Sequence, residues 1–154
     1  GFDVAGWSRS PKSIDGIKTY AGAAELPAFL ARTDILVCIL PLTVETTDIL
    51  NAKLFAAMPQ GSYVINIGRG KQLVDQDLVA ALDSGHIAGA ALDVFRIEPL
   101  PAESPLWSHP KVIVTPHIAA MTDPRSSVIQ VVANIKRIRA GQAPINQIDP
   151  KVGY

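Results

Sequence analysis

Arg69, Glu98 and His117 are the residues of this chain whose types and spacing best suit chemistry. The planar guanidinium of Arg69 can hold a carboxylate or polarise a carbonyl group. The imidazole of His117 can donate a proton near neutral pH, and the Glu98 carboxylate can orient the ring and favour its protonated form. Together the three groups suit proton transfer to a small molecule that carries a carbonyl or a carboxylate.

Each of these residues closely follows an apolar, strand-like segment. The three segments cover residues 63–67, 87–94 and 112–115, and their composition favours β-strands. In an open α/β sheet, the loops that follow the strands gather at the carboxyl edge, where ligands bind. We therefore expect the three side chains to converge, although the sequence keeps them far apart.

The alternation of strands and helices along the chain predicts an α/β fold with a doubly wound, parallel, Rossmann-like sheet. Further strands are predicted over residues 2–7 and 35–40, and the continuous apolar run of the second is typical of a strand covered on both faces. Helices are predicted over residues 23–32, 51–58, 75–82 and 122–140, with Asn51 as an N-cap and Gly85 and Gly141 as stop residues. The last helix has an apolar side formed by Val128, Ile129, Val131, Val132, Ile135 and Ile138.

The overall composition excludes several classes of protein. With 154 residues, 48% of them hydrophobic and 18% charged, the chain can bury one sizeable core and does not resemble a disordered protein. Fourteen basic and fourteen acidic residues balance, so no general attraction to nucleic acid or to an anionic membrane is expected. No signal peptide or transmembrane segment is visible, and we expect a cytoplasmic enzyme.

Cys38 is the single cysteine, so the chain cannot form an intrachain disulfide. Its position within the apolar run 35–40 predicts a small buried side chain rather than a reactive thiol. No metal site is predicted, because the three histidines lack cysteines or carboxylates at ligand spacing. We interpret His86 and His109 as structural residues.

Six segments of the chain, taken in order, carry a family resemblance. They are Trp7-Ser8-Arg9-Ser10, Leu40-Pro41-Leu42-Thr43 with Glu45-Thr46, Asn66-Ile67-Gly68-Arg69-Gly70, residues 92–100, Ser104-Pro105-Leu106-Trp107 and Thr115-Pro116-His117-Ile118-Ala119-Ala120. With these segments the chain resembles the D-2-hydroxyacid dehydrogenase family, in its branch of NADPH-dependent glyoxylate/hydroxypyruvate reductases. The resemblance extends over nearly the whole chain.

The resemblance implies hydride transfer from NADPH to a small 2-keto acid such as glyoxylate or hydroxypyruvate. It implies that His117 protonates the oxygen that becomes the hydroxyl, that Arg69 binds the ketone and one carboxylate oxygen, and that Glu98 keeps His117 protonated. Asp93 has two alternative roles. It could contact the cofactor carboxamide, or it could only accept hydrogen bonds from loop amides. Cofactor contacts are expected from Ser8, Arg9, Ser10, Lys12, Leu40, Pro41, Leu42, Thr46, Ile67, Gly68, Arg69, Asp93, His117 and Ala119.

The end of the first predicted strand indicates which nicotinamide cofactor is preferred. NAD enzymes of this architecture place an acid there to accept the ribose 2′-hydroxyl, whereas an arginine suits the 2′-phosphate of NADP. Here Arg9 stands between two serines, Lys12 is nearby, and no acid follows until Asp15. We therefore expect NADPH to be preferred over NADH, the alternative being a polar surface loop without a ligand.

No Gly-x-Gly-x-x-Gly motif follows a strand, although residues 1–10 resemble the second strand of a dinucleotide-binding unit. We interpret residues 1–141 as the C-terminal part of such a domain and residues 142–154 as a tail that returns toward a substrate domain. In the strand order 3-2-1-4-5-6 the first strand is central, so two inner edges should be unpaired.

The interpretation as a partial domain has functional consequences. The isolated chain is expected to be inactive, and the complete protein is expected to be a homodimer. A non-catalytic fragment that binds a partner or a nucleotide is the alternative. A third hypothesis is a nucleotide-binding, corepressor-like protein that uses the same domain. Such a protein would not need the full set of Arg69, Glu98 and His117.

Overall fold

The computed structural model describes residues 1–120 and 122–148, in which the strands form two parallel sheets. β1 (Ala5–Ser8) pairs with β2 (Lys18–Ala21) in the smaller sheet. The larger sheet contains, in spatial order, β3 (Ile35–Cys38), β4 (Ser62–Asn66), β5 (Ile87–Leu92) and β6 (Val112–Val114). The helices are α1 (Gly22–Leu30), α2 (Ala52–Ala56), α3 (Asp75–Asp83) and α4 (Pro124–Arg139). The predicted parallel α/β class is confirmed.

The predicted capping and stop residues lie at the helix ends, although α1 and α2 each end two residues earlier than predicted. The Asn51 side chain accepts a hydrogen bond from the Leu54 amide (3.1 Å) at the start of α2. Asp123 caps α4 in the same way. Gly85 after α3 and Gly141 after α4 have φ angles of 75° and 71°, a left-handed conformation that glycine adopts without strain.

Two features of the N-terminal sheet differ from the sequence predictions. The first strand begins later than predicted, since β1 starts at Ala5 while Phe2 is 86% exposed, and Ser8 belongs to the strand rather than to the loop after it. β2 is missing from the predictions. It is short and only Tyr20 is buried in it, so its pairing with β1, rather than an apolar pattern of its own, makes it a strand.

The hydrophobic core lies on one side of the larger sheet. α3 packs on β5, and α2 packs on α3. The side chains most completely buried there are Phe55, Val64, Leu73, Leu78, Leu82, Ile87, Leu92 and Leu106. This packing fixes β4 and β5, whose carboxyl ends carry the loops of interest.

The opposite face of the larger sheet is exposed, so the prediction that residues 35–40 are covered on both faces is wrong for the described residues. Leu36 and Cys38 are buried, but Ile35 and Val37 are 45% and 47% exposed, because no other described element packs on them. The predicted apolar side of α4 is likewise exposed, and none of the residues of this helix is buried.

An apolar cleft of about 790 Å³ separates β1 from β3. The side chains that line this β1–β3 cleft include Ala5, Trp7, Leu26, Phe29, Leu36 and Leu40. Within residues 1–120 and 122–148, no strand pairs with the side of β1 or of β3 that faces the cleft. The predicted pair of unpaired inner edges is therefore confirmed for the part of the chain that the structure describes.

The described part of the predicted tail folds back on α4. The Ile145 amide donates to the Asn134 side chain (2.6 Å), and the Arg137 side chain donates to the Ala143 carbonyl (2.7 Å). The tail continues in residues 149–154, which lie outside the described residues, so the division at residue 141 stays a prediction. Among the described residues, no helix combines the length and apolar character needed to cross a membrane.

Candidate active site

Three neighbouring loops meet at the carboxyl edge of the larger sheet. Because β4, β5 and β6 are parallel and adjacent, the loops that follow them begin side by side. Backbone hydrogen bonds extend the pairing beyond the strands, from the Asp93 amide to the Asn66 carbonyl (3.0 Å) and from the Thr115 amide to the Leu92 carbonyl (3.0 Å). We call residues 67–69, 93–98 and 115–119 the catalytic edge.

The structure pairs His117 with Glu98 across two of these loops. Nδ1 of His117 lies 2.8 Å from one carboxylate oxygen of Glu98, and the other oxygen accepts a hydrogen bond from the Phe95 amide (2.9 Å). These two hydrogen bonds, helped by the positive charges of His117 and Arg69, lower the pKa of Glu98 against the opposing effect of desolvation. Nδ1 therefore donates to Glu98, which leaves Nε2 as the ring nitrogen that can act on a ligand.

The backbone of the His117 loop is held by Asp93. His117 has a φ angle of 56°, a left-handed conformation that is uncommon for residues other than glycine. The buried Asp93 carboxylate accepts hydrogen bonds from the Thr115 hydroxyl and from the amides of Ile118 and Ala119 (2.9 Å each). Its contacts therefore lie on both sides of His117 and fix the unusual turn.

The hydrogen bonds of Asp93 also favour its charged form. Burial opposes the charged form, but the bonds from Thr115, Ala119 and Ile118 outweigh burial and lower the pKa of Asp93. Of the two alternative roles of Asp93, the structure shows the hydrogen bonds to loop amides. Contact with a cofactor carboxamide stays a prediction.

Arg69 lies in a tight loop that the buried Asn66 side chain holds. Asn66 accepts from the Gly68 amide (3.1 Å) and donates to the Arg69 carbonyl (3.3 Å). The two flanking glycines are needed for packing against the protein itself. A Cβ atom on Gly70 would lie 1.8 Å from the carbonyl carbon of Phe95, and one on Gly68 would also clash. The Arg69 guanidinium is exposed at the edge and donates to the Gly68 carbonyl (2.7 Å).

The loop after β3 carries the next group of predicted cofactor residues. The Thr46 hydroxyl accepts from the Thr43 amide (2.8 Å) and donates to the Pro41 carbonyl (2.7 Å), so it shapes this turn. The Ile67 amide, in the loop after β4, donates to the Cys38 carbonyl at the end of β3 (3.2 Å). Leu40, Pro41 and Leu42 are thereby placed next to the Arg69 loop.

The end of β1 carries the predicted phosphate-binding residues on the far side of the β1–β3 cleft. The Ser8 hydroxyl donates to the Ser10 carbonyl (2.8 Å), and the Thr19 hydroxyl donates to the Lys12 carbonyl (2.6 Å). Arg9, Ser10 and Lys12 are exposed. The strand end thus presents cations and a hydroxyl with no carboxylate before Asp15, a donor set that fits a phosphate.

Arg9 also lies within electrostatic reach of the loop after β3. The pKa of Glu45 in that loop is lowered by a hydrogen bond with Thr43 and by its own backbone amide, with a smaller contribution from the charge of Arg9. The structure therefore arranges the predicted residues in two groups. The catalytic edge and the loop after β3 adjoin each other on the larger sheet, and the end of β1 faces them across the cleft.

Comparison with known proteins identifies the family. Residues 1–119 match the family model described as D-isomer specific 2-hydroxyacid dehydrogenase, NAD binding domain. The chain belongs to this family. The glyoxylate/hydroxypyruvate reductase A of Yersinia enterocolitica is 49% identical over 154 residues, and that of Serratia proteamaculans is 50% identical. Each alignment covers 100% of this chain and 49% of the relative, so the chain spans about half the length of the curated relatives it matches.

Solved structures of D-2-hydroxyacid dehydrogenases share the fold. One from Xanthobacter autotrophicus Py2, in complex with NADPH and MES, has a TM-score of 0.96 and 51% identity, covering 100% of this chain and 64% of the other. The NADPH-dependent glyoxylate/hydroxypyruvate reductase of Sinorhizobium meliloti, in complex with NADP and sulfate, has a TM-score of 0.94 and 46% identity, covering 100% and 50%. The resemblance carried by the six sequence segments is confirmed.

Two buried amide side chains of this dehydrogenase domain are absent from the sequence predictions of site residues. Asn66 and Gln72 are each 0% exposed, and both bond the loop that carries Arg69. The only sequence signal is a polar amide beside apolar residues, and that pattern does not distinguish a buried amide from a surface one. Among the described residues, no buried side-chain nitrogen or oxygen lacks a hydrogen-bond partner.

The remaining predictions concern a thiol, two histidines and metals. Cys38 is buried, as predicted, and burial raises the pKa of its thiol. His86 bonds the Phe55 carbonyl (2.8 Å), and His109 bonds Asp83 (3.3 Å), so both have structural contacts. In the described ranges, no group of three or more histidines, cysteines or carboxylates is placed to hold a metal ion.

Proposed function

We propose that the full-length protein containing this chain is an NADPH-dependent reductase of small 2-keto acids, with glyoxylate and hydroxypyruvate as substrates. The observation that carries the proposal is the His117–Glu98 pair at 2.8 Å, held beside the Arg69 loop at one edge of a parallel sheet. The reductase names of the relatives from Yersinia and Serratia support the same substrates.

The residues that would hold the cofactor lie in the loops already described. Ser8, Arg9, Ser10 and Lys12 would bind the 2′-phosphate, because they offer cations and hydroxyls and no acid follows in the sequence until Asp15. The strand-end residues of the larger sheet would contact the rest of the cofactor, and these are Leu40, Pro41, Leu42, Thr46, Ile67, Gly68, Arg69, Asp93, His117 and Ala119. When bound, NADPH supplies the hydride that reduces the keto carbon.

The chain's own residues supply the proton and the positioning. Arg69 binds the ketone oxygen and one carboxylate oxygen of the substrate, and it stabilises the negative charge that grows on the ketone oxygen. Nε2 of protonated His117 donates its proton to that oxygen, which becomes the hydroxyl. Glu98, whose pKa is lowered, accepts the hydrogen bond from Nδ1 as a carboxylate and thereby keeps the ring oriented with Nε2 toward the substrate.

The location and assembly of the protein are part of the same proposal. We infer a cytoplasmic homodimer. The support for the location is that the sole cysteine is a buried thiol of raised pKa rather than half of a disulfide, as suits a reducing compartment. The exposed apolar surfaces of α4 and of β3 are the kind of surface that further protein covers.

The direct test is an assay of the purified full-length protein. NADPH absorbance should fall on addition of glyoxylate or hydroxypyruvate, and kcat/KM should be higher with NADPH than with NADH. A protein that binds NADPH tightly but reduces neither acid would instead be a nucleotide-binding module, and a preference for NADH would remove the proposed role of the Ser8 to Lys12 segment.

A further inference from the structure

Gln72 is a fully buried amide at the junction of two loops of the candidate site. It ends the short 3-10 turn Gly70–Gln72 that follows the Arg69 loop, and its side chain is 0% exposed. A buried amide offers two acceptor and two donor positions, and each unsatisfied position is costly in an apolar interior. The partners of Gln72 therefore show what this residue holds together.

The two ends of the Gln72 amide bond different loops. Its oxygen accepts from the Arg69 amide (2.7 Å) and from the Cys38 thiol (3.5 Å). Its nitrogen donates to the carbonyls of Leu40 (2.8 Å) and Pro41 (3.2 Å). One planar group thus spans from the backbone of Arg69 to the backbone of the loop after β3.

The chain makes room for this amide at Gly68. A Cβ atom on Gly68 would lie 2.3 Å from the Gln72 side-chain oxygen and 3.1 Å from the Leu40 carbonyl oxygen. Because Gly68, Gln72 and Leu40 converge at one point, any displacement of the loop after β3 must also move the Arg69 backbone. The connection is short and buried, so it has little freedom to absorb such a displacement.

We propose that Gln72 is a positioning residue that couples the cofactor groove at Leu40–Pro41 to the keto-acid site at Arg69. A cofactor bound in the groove holds the loop after β3 in place. Through the hydrogen bonds of the Gln72 amide, the Arg69 backbone is then held in place as well. The keto acid therefore binds more tightly once the cofactor is bound. Such coupling is reciprocal, and the keto acid tightens cofactor binding by the same factor. This inference rests on the proposed function, because it takes Leu40–Pro41 as part of the cofactor groove.

The experiment measures the coupling in the full-length protein. Oxamate, an unreactive analogue of a 2-keto acid, is titrated by calorimetry with and without saturating NADP⁺. In the wild type, NADP⁺ should tighten oxamate binding. Gln72→Met keeps the side-chain volume but removes all four hydrogen bonds, and it should reduce the coupling factor by about tenfold, as expected for losing buried polar contacts. Gln76→Met, on the exposed side of α3, is the matched control and should leave the factor unchanged.

The outcomes separate this inference from the proposed function. A wild type that reduces glyoxylate but shows the same oxamate affinity with and without NADP⁺ overturns the role of Gln72 and leaves the reductase intact. A folded Gln72→Met protein whose coupling factor equals that of the wild type also overturns the role of Gln72. A purely structural role would lower Tm without changing the coupling factor.

A second measurement, on the wild type, tests the inference even if Gln72→Met does not fold. Hydrogen exchange of the Arg69 amide in the wild type should be slow for a loop residue, because this amide donates to the buried Gln72 oxygen. Addition of NADP⁺ should slow it further. Exchange as fast as in an unprotected loop would refute the inference.

Discussion

The catalytic edge and the β1–β3 cleft differ in how far the described chain completes them. At the catalytic edge, the polar groups that shape the loops have partners within the larger sheet and its loops, from Asn66 and Asp93 to the His117–Glu98 pair. In the β1–β3 cleft, apolar side chains face each other across about 790 Å³, and in the described ranges neither neighbouring strand is paired on that side.

The difference indicates that the two regions have different roles. The proposed keto-acid site is built from interactions inside the four-stranded sheet and its loops. The proposed cofactor site has one part at the end of β1 and another on the larger sheet, so it would depend on what holds the two sheets together. Substitutions at the catalytic edge should therefore affect turnover, whereas changes at the cleft side should affect cofactor binding and assembly.

The largest effect is expected when residues 1–154 are produced alone. The exposed strand edges and apolar cleft walls should cause self-association and prevent productive NADPH binding, so no glyoxylate reduction should be measurable. Sedimentation and NADPH absorbance report the two properties, and the full-length protein is the control. A monomer that reduced glyoxylate would show that the cleft plays no part in the cofactor site.

The next largest effect is expected for His117→Ala in the full-length protein. Loss of a general acid should lower kcat by about 10²- to 10⁴-fold, while NADPH affinity changes little. His109→Ala is the matched control, since His109 bonds Asp83 away from the catalytic edge. Near-normal turnover of His117→Ala would remove the proposed proton donor.

Arg69→Lys should have a smaller but still severe effect on keto-acid reduction. An ammonium group cannot reproduce the two parallel hydrogen bonds of a guanidinium, so kcat/KM should fall by about ten- to a hundredfold. Arg139→Lys in the last turn of α4 serves as the control. Equal kcat/KM values for Arg69→Lys and the wild type would show that Arg69 does not hold the carboxylate.

On the cleft side, Arg9→Asp should change cofactor preference rather than turnover. A carboxylate beside the 2′-phosphate should reduce the ratio of kcat/KM for NADPH to that for NADH by about tenfold or more. Arg125→Asp, on α4, is the control for a change of charge. An unaltered ratio would place the 2′-phosphate somewhere other than the end of β1.

Local sequence patterns correctly predicted that the loops carrying Arg69, Glu98 and His117 meet at one edge of the sheet. Apolar runs ending before Arg69, Glu98 and His117 indicate parallel strands, and parallel strands bring their following loops together. Single capping residues such as Asn51 and Gly141 likewise determine helix ends through short-range hydrogen bonds and backbone conformation.

The features missing from the predictions depend on contacts distant in sequence. β2 is a strand because it pairs with β1, and Gln72 is buried because the loop after β3 folds over it. Asp93 bonds amides more than twenty residues away, which its neighbours in sequence do not reveal. The exposure of Ile35 and Val37 depends on which elements pack on the sheet, and an apolar run does not specify that.

The central claim is that Glu98 acts through His117, and it predicts a specific pH dependence. The lowered pKa of Glu98 means that the pair stabilises the protein above the ordinary glutamate pKa and that this contribution is lost as pH falls through the lowered value. Glu98→Gln keeps the shape and the acceptor for the Phe95 amide but removes the charge, so its effect should be the smallest at acid pH.

The most direct test compares the pH profiles of kcat/KM for the wild type and Glu98→Gln, together with Glu98→Gln made in the His117→Ala background. We predict that Glu98→Gln has a lower kcat/KM than the wild type above the ordinary glutamate pKa. The difference should shrink as pH falls through the lowered pKa of Glu98, because protonation of the wild-type carboxylate removes the same negative charge. In the His117→Ala background, the Glu98 substitution should have no further effect. Overlapping profiles, or a full Glu98 effect without His117, would contradict the account.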